Sequence, residues 1–218
     1  MIVHEQMEHY VRSLVPPRSE LLQRLETEAE NEGIPNMVLS GISLLSVLAA
    51  IKQPKRILEI GTAIGYSALV MAEAAPMAQI ITLELNEERA DRARVNIEAA
   101  GMEERIQVVL GDASETIAHQ EGTFDFVFID AAKGKYPLFL EAALAKCSPG
   151  AVIVTDNILF RGYVGMDAED PQIPKKYRSM IKKVKAYNEM LMNHPLLQTS
   201  ILTVGDGIAV SVMNRESR

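Results

Sequence analysis

The chain lacks several features that mark secreted and membrane proteins. Among its 218 residues there is no tryptophan and a single cysteine, Cys147, which cannot form an internal disulfide. A disulfide-rich secreted scaffold is therefore excluded, and a cytoplasmic location is expected. No apolar run approaches the roughly 18 residues that a membrane span needs. The first ten residues, MIVHEQMEHY, do not have the pattern of a targeting segment.

Basic residues are in the minority, with 22 Lys and Arg against 29 Asp and Glu and a net charge of −7. This balance argues against binding nucleic acid or membranes over the whole surface, but it is compatible with a local basic patch. With 48% hydrophobic residues the chain can bury one full core. We therefore predict a single domain over 1–218, with helices over 1–52 and an α/β core over 56–213.

A glycine turn stands at the centre of the sequence, in RILEIGTAIGYS at 56–67. An apolar strand breaks at Gly61, and a helical segment begins after Gly65, a pattern that places ligands at the carboxyl edge of an α/β sheet. The spacing G-x-x-x-G is neither the G-x-G-x-x-G of dinucleotide enzymes nor the phosphate loop. A nicotinamide oxidoreductase on the same type of sheet is therefore disfavoured.

Strand and helix patterns alternate after this turn. Five nearly continuous apolar runs are typical of parallel strands covered on both faces, and two further strands flank Gly205-Asp206-Gly207 as an antiparallel hairpin. We predict a mostly parallel seven-stranded sheet with one antiparallel strand and helices on both faces. The predicted strands are Arg56–Ile60, Gln79–Leu83, Ile106–Leu110, Phe124–Ile129, Ala151–Thr155, Thr199–Val204 and Ile208–Met213. A first helix is predicted over 2–14.

Four ordered sequence blocks carry a resemblance to a known family. They are LEIGTAIGYS at 58–67, Glu84 at the end of the second strand, GDA at 111–113 and FDFVFIDAAKGKY at 124–136. Over about 35–213 the chain resembles the class I S-adenosylmethionine-dependent methyltransferases, and more narrowly the metal-dependent O-methyltransferases of the catechol and caffeoyl-CoA type. Within that group it is most similar to bacterial enzymes that methylate 5-hydroxyuridine in tRNA. The resemblance implies a Rossmann-like fold, S-adenosylmethionine as cofactor and a homodimer.

The resemblance also implies which residues bind the cofactor. The Glu84 carboxylate can accept hydrogen bonds from both ribose hydroxyls, unless it only caps the following helix. Asp112 can accept from the adenine amino group while Ala113 offers its backbone N–H, unless Asp112 only forms an Asx turn. The other cofactor residues implied in this way are Val38, Glu59, Gly61, Gly65, Ser67 and Asp130.

A metal site is predicted at the ends of two strands. Asp130 follows the fourth strand and Asp156–Asn157 the fifth, so their oxygens converge if these strands are neighbours. An all-oxygen set suits Mg²⁺, with Mn²⁺ or Ca²⁺ as alternatives. Ordinary strand-to-helix capping is the competing interpretation of these residues.

Lys133 is the candidate general base, three residues after Asp130. Positive charge nearby favours the neutral amine, which can accept a proton from an acceptor hydroxyl. Lys135 is expected to be a solvated loop lysine, and Tyr136 to anchor the start of the next helix. A binding protein that has kept the cofactor site without catalysis is disfavoured because Lys133 and all three metal ligands are present.

Two acceptors remain open. The favoured one is 5-hydroxyuridine at the wobble position of a tRNA anticodon loop, which would become 5-methoxyuridine. The alternative is a small catechol-like or phenylpropanoid molecule, although the absence of tryptophan disfavours a catechol pocket built from tryptophan side chains. Basic residues on one helical face and in the preceding loop are the candidate RNA contacts, unless that face is only solvated. These residues are Arg161, Lys175, Arg178, Lys182 and Lys185.

Overall fold

The computed structural model describes residues 5–167 and 169–214. Seven strands are present: β1 Arg56–Ile60, β2 Gln79–Glu84, β3 Ile106–Leu110, β4 Phe124–Ile129, β5 Cys147–Thr155, β6 Leu197–Leu202 and β7 Ile208–Met213. The α-helices are α1 Glu5–Ser13, α2 Glu20–Glu32, α3 Leu39–Lys52, α4 Tyr66–Ala74, α5 Glu87–Ala99, α6 Ala113–Thr116, α7 Tyr136–Leu144 and α8 Lys175–Asn193. Short 3₁₀ turns cover Ile117–His119, Lys133–Lys135 and Phe160–Gly165.

The strands form one sheet in the order β3-β2-β1-β4-β5-β7-β6. β1 to β5 are parallel neighbours, whereas β7 pairs antiparallel with both β5 and β6. The predicted mostly parallel sheet with one antiparallel strand is confirmed. The strand order reverses between β1 and β4, which is where open α/β sheets leave a crevice for ligands.

The sheet is apolar on both faces because the strands other than β6 contribute side chains to two cores, one on each face. In β4, Phe126 and Phe128 belong to the core with α2 to α5, and Val127 and Ile129 belong to the core with α6 to α8. All four side chains are at most 1% exposed. Burial on both sides explains why the parallel strands appear in the sequence as unbroken apolar runs.

Three helices precede the sheet, as the sequence predicted. Ser19 caps α2 by accepting a hydrogen bond from the Leu22 backbone at 3.4 Å, and Gly33 ends the same helix with φ 65°. The helix predicted over 2–14 is described from Glu5 to Ser13, and residues 1–4 lie outside the described residues. Residues 215–218 also lie outside them, so the single domain over 1–218 stays a prediction. No helix of the described part of the chain has the length and apolar character needed to cross a bilayer.

Four strand boundaries differ from the prediction: the start of β5, both ends of β6, and the end of β2, which is Glu84 instead of Leu83. β5 begins at Cys147 instead of Ala151, because Cys147 pairs with Phe124 before the register shifts ahead of Phe126. Proline and glycine at 149–150 hid this extension in the sequence. β6 ends at Leu202 because Val204 accepts a hydrogen bond from Gly207 at 2.9 Å and belongs to the turn.

Gly61 generates a test of the close packing at the β1 carboxyl end. It has φ 105°, and a Cβ there would overlap the carbonyl oxygen of Asp130, whereas Gly33 has φ 65° with nothing within 4 Å. Gly61→Ala is expected to lower the free energy of unfolding by about 3 kcal/mol, from overpacking added to left-handed strain. Gly33→Ala is the matched control, with strain alone and a loss of about 1 kcal/mol. Urea unfolding measures both losses, and equal losses would contradict the proposed overlap.

Candidate active site

A cavity of about 620 Å³ opens at the carboxyl ends of β1, β2, β3 and β4. Its size is in the range of small-molecule and cofactor sites. The sequence-predicted residues that line it are Gly61, Ser67, Glu84, Asp112, Ala113, Asp130, Lys133 and Asn157. The sheet thus brings together both the candidate cofactor residues and the candidate base in one space.

Four of the predicted cofactor and metal residues are not among the residues that line this cavity. Glu59 and Asp156 are buried behind its wall at 0% and 3% exposure. Gly65 is also buried and packs against Ala93 of α5. Val38 is 43% exposed and lies at the amino end of α3, beside Gly205. Asn36 and Met37, which precede Val38, line the cavity in its place.

Glu84 links the end of β2 to the glycine turn. Its Oε2 accepts from the Ala63 N–H at 2.9 Å, and its Oε1 accepts from the N–H groups of Leu85 and Asn86 at 2.9 Å each. The cap of α5 is provided instead by Asn86, so Glu84 is not the helix cap. A carboxylate offers about four acceptor positions, which leaves one for a ligand hydroxyl without loss of these bonds.

Asp112 is engaged by protein groups on both oxygens. Its Oδ1 accepts from the Ser114 N–H at 3.0 Å and caps α6, which is the Asx-type alternative considered above. Its Oδ2 pairs with Lys135 Nζ at 2.5 Å, and this hydrogen bond lowers the pKa of Asp112 to about 2. The expectation that Lys135 is only a solvated loop lysine is therefore wrong, because the Asp112 carboxylate lies within its reach.

Glu59 is the centre of a buried polar network beneath the cavity. It accepts from Ser67 Oγ and from Thr82 Oγ1, both at 2.5 Å, and Thr62 lies 2.6 Å from the same Thr82 oxygen. Burial raises the pKa of Glu59 to about 7, and the two hydroxyl bonds oppose this shift. Because Ser67 lines the cavity, Glu59 acts on that space through Ser67 and not by direct contact.

Two carboxylates and an amide meet at the β4 and β5 ends. Lys133 Nζ donates to Asn157 Oδ1 at 2.5 Å, and Asp156 Oδ1 accepts from the Asn157 N–H at 2.7 Å. Burial, followed by the charge of Asp130, raises the pKa of Asp156 to about 8. Burial likewise raises the pKa of Asp130, and the charge of Lys133 opposes the rise.

These groups fit a hard divalent cation in their chemistry. The donors are all oxygens, and a cation beside them would relieve the repulsion between Asp130 and Asp156. Over residues 5–167 and 169–214 no three His, Cys, Asp or Glu side chains form a metal-binding group. The candidate set therefore consists of two carboxylates and one amide.

Two buried tyrosines contact the carboxyl end of β5, and only one of them, Tyr136, was predicted from the sequence. Tyr136 begins α7, as expected, and its hydroxyl also donates to the Asp156 carbonyl at 3.0 Å. Tyr187 of α8 packs edge-on against Tyr136 and lies 2.9 Å from Thr155 Oγ1. An apolar position on an amphipathic helix was the only sequence signal for Tyr187.

Residues of the preceding loop contact part of the predicted basic face of α8, although the Lys182 side chain is 62% exposed. Arg178 pairs with Glu169, Lys182 lies 3.5 Å from the same carboxylate, and Lys185 donates to the Met166 carbonyl at 2.6 Å. Lys175 is exposed. A phosphate-contact role for this face stays a prediction, and it would require Arg178, Lys182 and Lys185 to exchange partners.

Comparison with known proteins identifies the family. A model described as O-methyltransferase matches residues 12–214. The chain belongs to this O-methyltransferase family. A catechol O-methyltransferase of Mycobacterium tuberculosis is 36% identical over 78% of this chain and 76% of that protein. A catechol O-methyltransferase of Niastella koreensis is 30% identical over 97% of this chain and 98% of its own length.

A solved family structure agrees with the fold over nearly the whole chain. The O-methyltransferase from Bacillus cereus, in complex with SAH, superposes with a TM-score of 0.82 at 28% identity. The match covers 96% of this chain and 97% of that one. Family membership and the sheet order together establish the class I methyltransferase architecture that the sequence predicted.

Glu59 makes the stability of this family member depend on pH. Its pKa is raised from 4.5 to about 7 in the folded chain, so the fold favours the protonated carboxyl. This contribution is complete below pH 4.5 and is lost as the pH rises through 7, with a limit of about 3 kcal/mol. We expect the difference in unfolding free energy between Glu59→Gln and the unsubstituted protein to grow in favour of the variant from pH 5 to 8. Urea titrations measure it, and a pH-independent difference would contradict the shift.

Proposed function

We propose that this S-adenosylmethionine-dependent O-methyltransferase methylates one of two adjacent ring oxygens of its acceptor. The observation that carries the proposal is the hydrogen bond from Lys133 to Asn157 inside the cavity that Glu84 and Ser67 also line. It brings a proton acceptor and a metal-type oxygen next to the candidate cofactor residues. A hydroxyl with a neighbouring oxygen matches that arrangement.

The cofactor residues divide along the cavity. Glu84 would receive a ribose hydroxyl, or both if it gives up one of its backbone hydrogen bonds; Asp112 and Ala113 would receive the adenine, and Gly61 and Ser67 the methionine end. S-adenosylmethionine supplies a methyl group on a positively charged sulfur. Asp130 lies on the side of the cavity where that charge would be, and Gly61 lets the backbone pass close to it.

The metal residues would be Asp130, Asp156 and Asn157, with Mg²⁺ favoured and Mn²⁺ or Ca²⁺ also suited. The cation would make an acceptor hydroxyl more acidic and hold it in place. Asn157 must then direct its Oδ1 to the cation instead of to Lys133. Lys133, which donates to Asn157 in the structure, would first release a proton to solvent, and its neutral amine would then accept the hydroxyl proton as general base.

The relatives' names support a small catechol-like acceptor as the first candidate. Two of them are called catechol O-methyltransferases, at 36% and 30% identity. A catechol carries two adjacent hydroxyls on one ring, as the proposed chemistry requires. The cavity of about 620 Å³ is large enough for the cofactor with part of such an acceptor beside it.

A cationic aromatic cluster supports 5-hydroxyuridine in tRNA as the second candidate. Phe160, three residues after Asn157, meets Tyr177 edge-on with ring centroids 5.5 Å apart. Arg161 and Lys176 lie over the same Tyr177 ring at 5.7 and 4.9 Å. Unpaired RNA bases stack on such side chains, and the cations suit phosphates. The 5-hydroxyl and 4-carbonyl of this base are adjacent oxygens.

The test is methyl transfer from labelled S-adenosylmethionine to both acceptors in parallel. Reactions contain Mg²⁺ and catechol, tRNA with 5-hydroxyuridine, or tRNA without it, and each is repeated with EDTA. Transfer only to catechol supports the first candidate, and transfer only to the hydroxylated tRNA supports the second. Transfer to neither, or transfer unaffected by EDTA, would overturn the proposal.

Lys133→Met should lower the single-turnover rate by about 10²-fold or more, because the amine is lost while an unbranched apolar stem is kept. SAH affinity should not change. Lys135→Met is the contrasting variant, because it unpairs Asp112 and should weaken SAH binding while keeping the rate at saturation. Rapid-quench kinetics and calorimetry separate the two effects. An unchanged single-turnover rate in Lys133→Met would rule out its role as the base.

A further inference from the structure

The β6–β7 hairpin tip, Gly205-Asp206-Gly207, lies between two segments that flank the active site. A Cβ at Gly205 would lie 2.6 Å from Val38 Cγ2, and a Cβ at Gly207 would lie 2.6 Å from Leu159 Cβ. Both glycines have positive φ, at 57° and 90°. The tip is therefore packed against the segment before α3 and against the segment that begins at Asn157, with no room for side chains on either glycine.

Hydrogen bonds attach the hairpin tip to the second of these segments, residues 157–161. Ile158 N–H donates to the Gly207 carbonyl and Leu159 N–H to the Asp206 carbonyl, both at 3.0 Å. The Arg161 N–H donates to the Asp206 carboxylate. From the other side, Asn188 of α8 donates to the Ile158 carbonyl at 2.8 Å. The Asp206 bond is the side-chain contact from the tip to this segment.

This segment needs external support because its backbone is strained. Asn157, Phe160 and Arg161 have φ of 61°, 43° and 57°, in the left-handed region that side chains other than glycine rarely adopt. Such conformations persist where surrounding contacts fix them, and they concentrate at functional sites. Of these residues, Asn157 accepts the hydrogen bond from Lys133, and Phe160 and Arg161 contact the Tyr177 ring.

Asp206 also belongs electrostatically to the edge of the sheet that carries the site. Burial is the main cause of the raised pKa values of Asp130, Asp156 and Asp206; the charge of Asp206 adds to the rise for the first two, and the Arg161 hydrogen bond and the charge of Lys133 oppose the rise for Asp206. The side chain is half-buried and is not among the residues that line the cofactor cavity. Asp206 lies in the β6–β7 turn, beyond β5 in the strand order, and therefore away from Glu84 and Asp112 at the ends of β2 and β3.

We propose that Asp206 is a positioning residue for the acceptor. By accepting the Arg161 N–H, its carboxylate holds 157–161 in the strained conformation that presents Asn157 and Phe160 to the acceptor. The proposal rests on the proposed function, because it assigns the specificity of that same site. In this proposal Asp206 affects binding of the acceptor, whereas binding of the cofactor depends on the residues at the carboxyl ends of β1, β2 and β3.

The kinetic test compares Asp206→Ala with Asp206→Asn. Loss of the acceptor oxygen in Asp206→Ala should raise the acceptor KM about tenfold, while calorimetric SAH affinity stays within about twofold. Asp206→Asn keeps an oxygen that can accept from Arg161 and should recover most of the KM. The matched control is Asp125→Ala, which removes a carboxylate that accepts from Lys55 and Arg56 N–H groups at the opposite end of the sheet. It should lower stability without changing the acceptor KM.

Hydrogen exchange tests the same proposal without any acceptor. In the SAH complex, amides of 158–163 should exchange faster in Asp206→Ala than in Asp125→Ala, and Asp206→Asn should restore protection. Unchanged exchange, an unchanged KM, or an equal weakening of SAH binding would overturn the positioning role. If wild-type protein binds SAH but methylates neither acceptor, the proposed function fails, and the exchange result still decides whether Asp206 holds the strained segment.

Discussion

Register between parallel strands is the constraint on which this site depends. Ile60 of β1 pairs with Leu83 of β2 and with Ile129 of β4, and Ile129 pairs with Thr155 of β5. The residue after each partner must therefore lie in one row across the sheet edge. That row is Gly61, Glu84, Asp130 and Asp156. A shift of one residue in any strand would scatter it, so the apolar cores that fix the register also fix the chemistry.

The row places a glycine, which lets backbones approach closely, beside carboxylates that repel each other. Gly61 has no side chain, so its backbone can approach the Asp130 carbonyl and leave space above it. Asp130 and Asp156 repel each other where water is scarce, and the positive charge of Lys133 offsets part of that repulsion. The hairpin tip and α8 hold the strained segment that begins at Asn157. The sheet therefore fixes one side of the site, and the hydrogen-bonded segment 157–161 fixes the other.

Much of this arrangement could be predicted from the sequence because strand ends carry a strong local signal. Apolar runs ending in glycine or acid gave the sheet, its antiparallel hairpin and the residues at its edge. Partners distant in the chain could not be predicted. Nothing near Lys135 indicates its pairing with Asp112, and helical periodicity placed Arg178 and Lys182 on one face without revealing that both lie beside Glu169. In the sequence, Asp206 similarly indicates only a turn, because its partner Arg161 lies 45 residues earlier.

Calorimetric titration of Mg²⁺ into the SAH complex tests the central claim most directly, namely that the Asp130 and Asp156 carboxylates beside the cofactor cavity form a cation site. We expect one bound ion for the unsubstituted protein, none for Asp156→Ala, and the same SAH affinity in both. Asp91 is exposed, and its carboxylate pairs with Arg94 on α5. The control variant Asp91→Ala should therefore bind the ion as the unsubstituted protein does. Mg²⁺ binding that survives Asp156→Ala, or loss of SAH binding in that variant, would contradict the account.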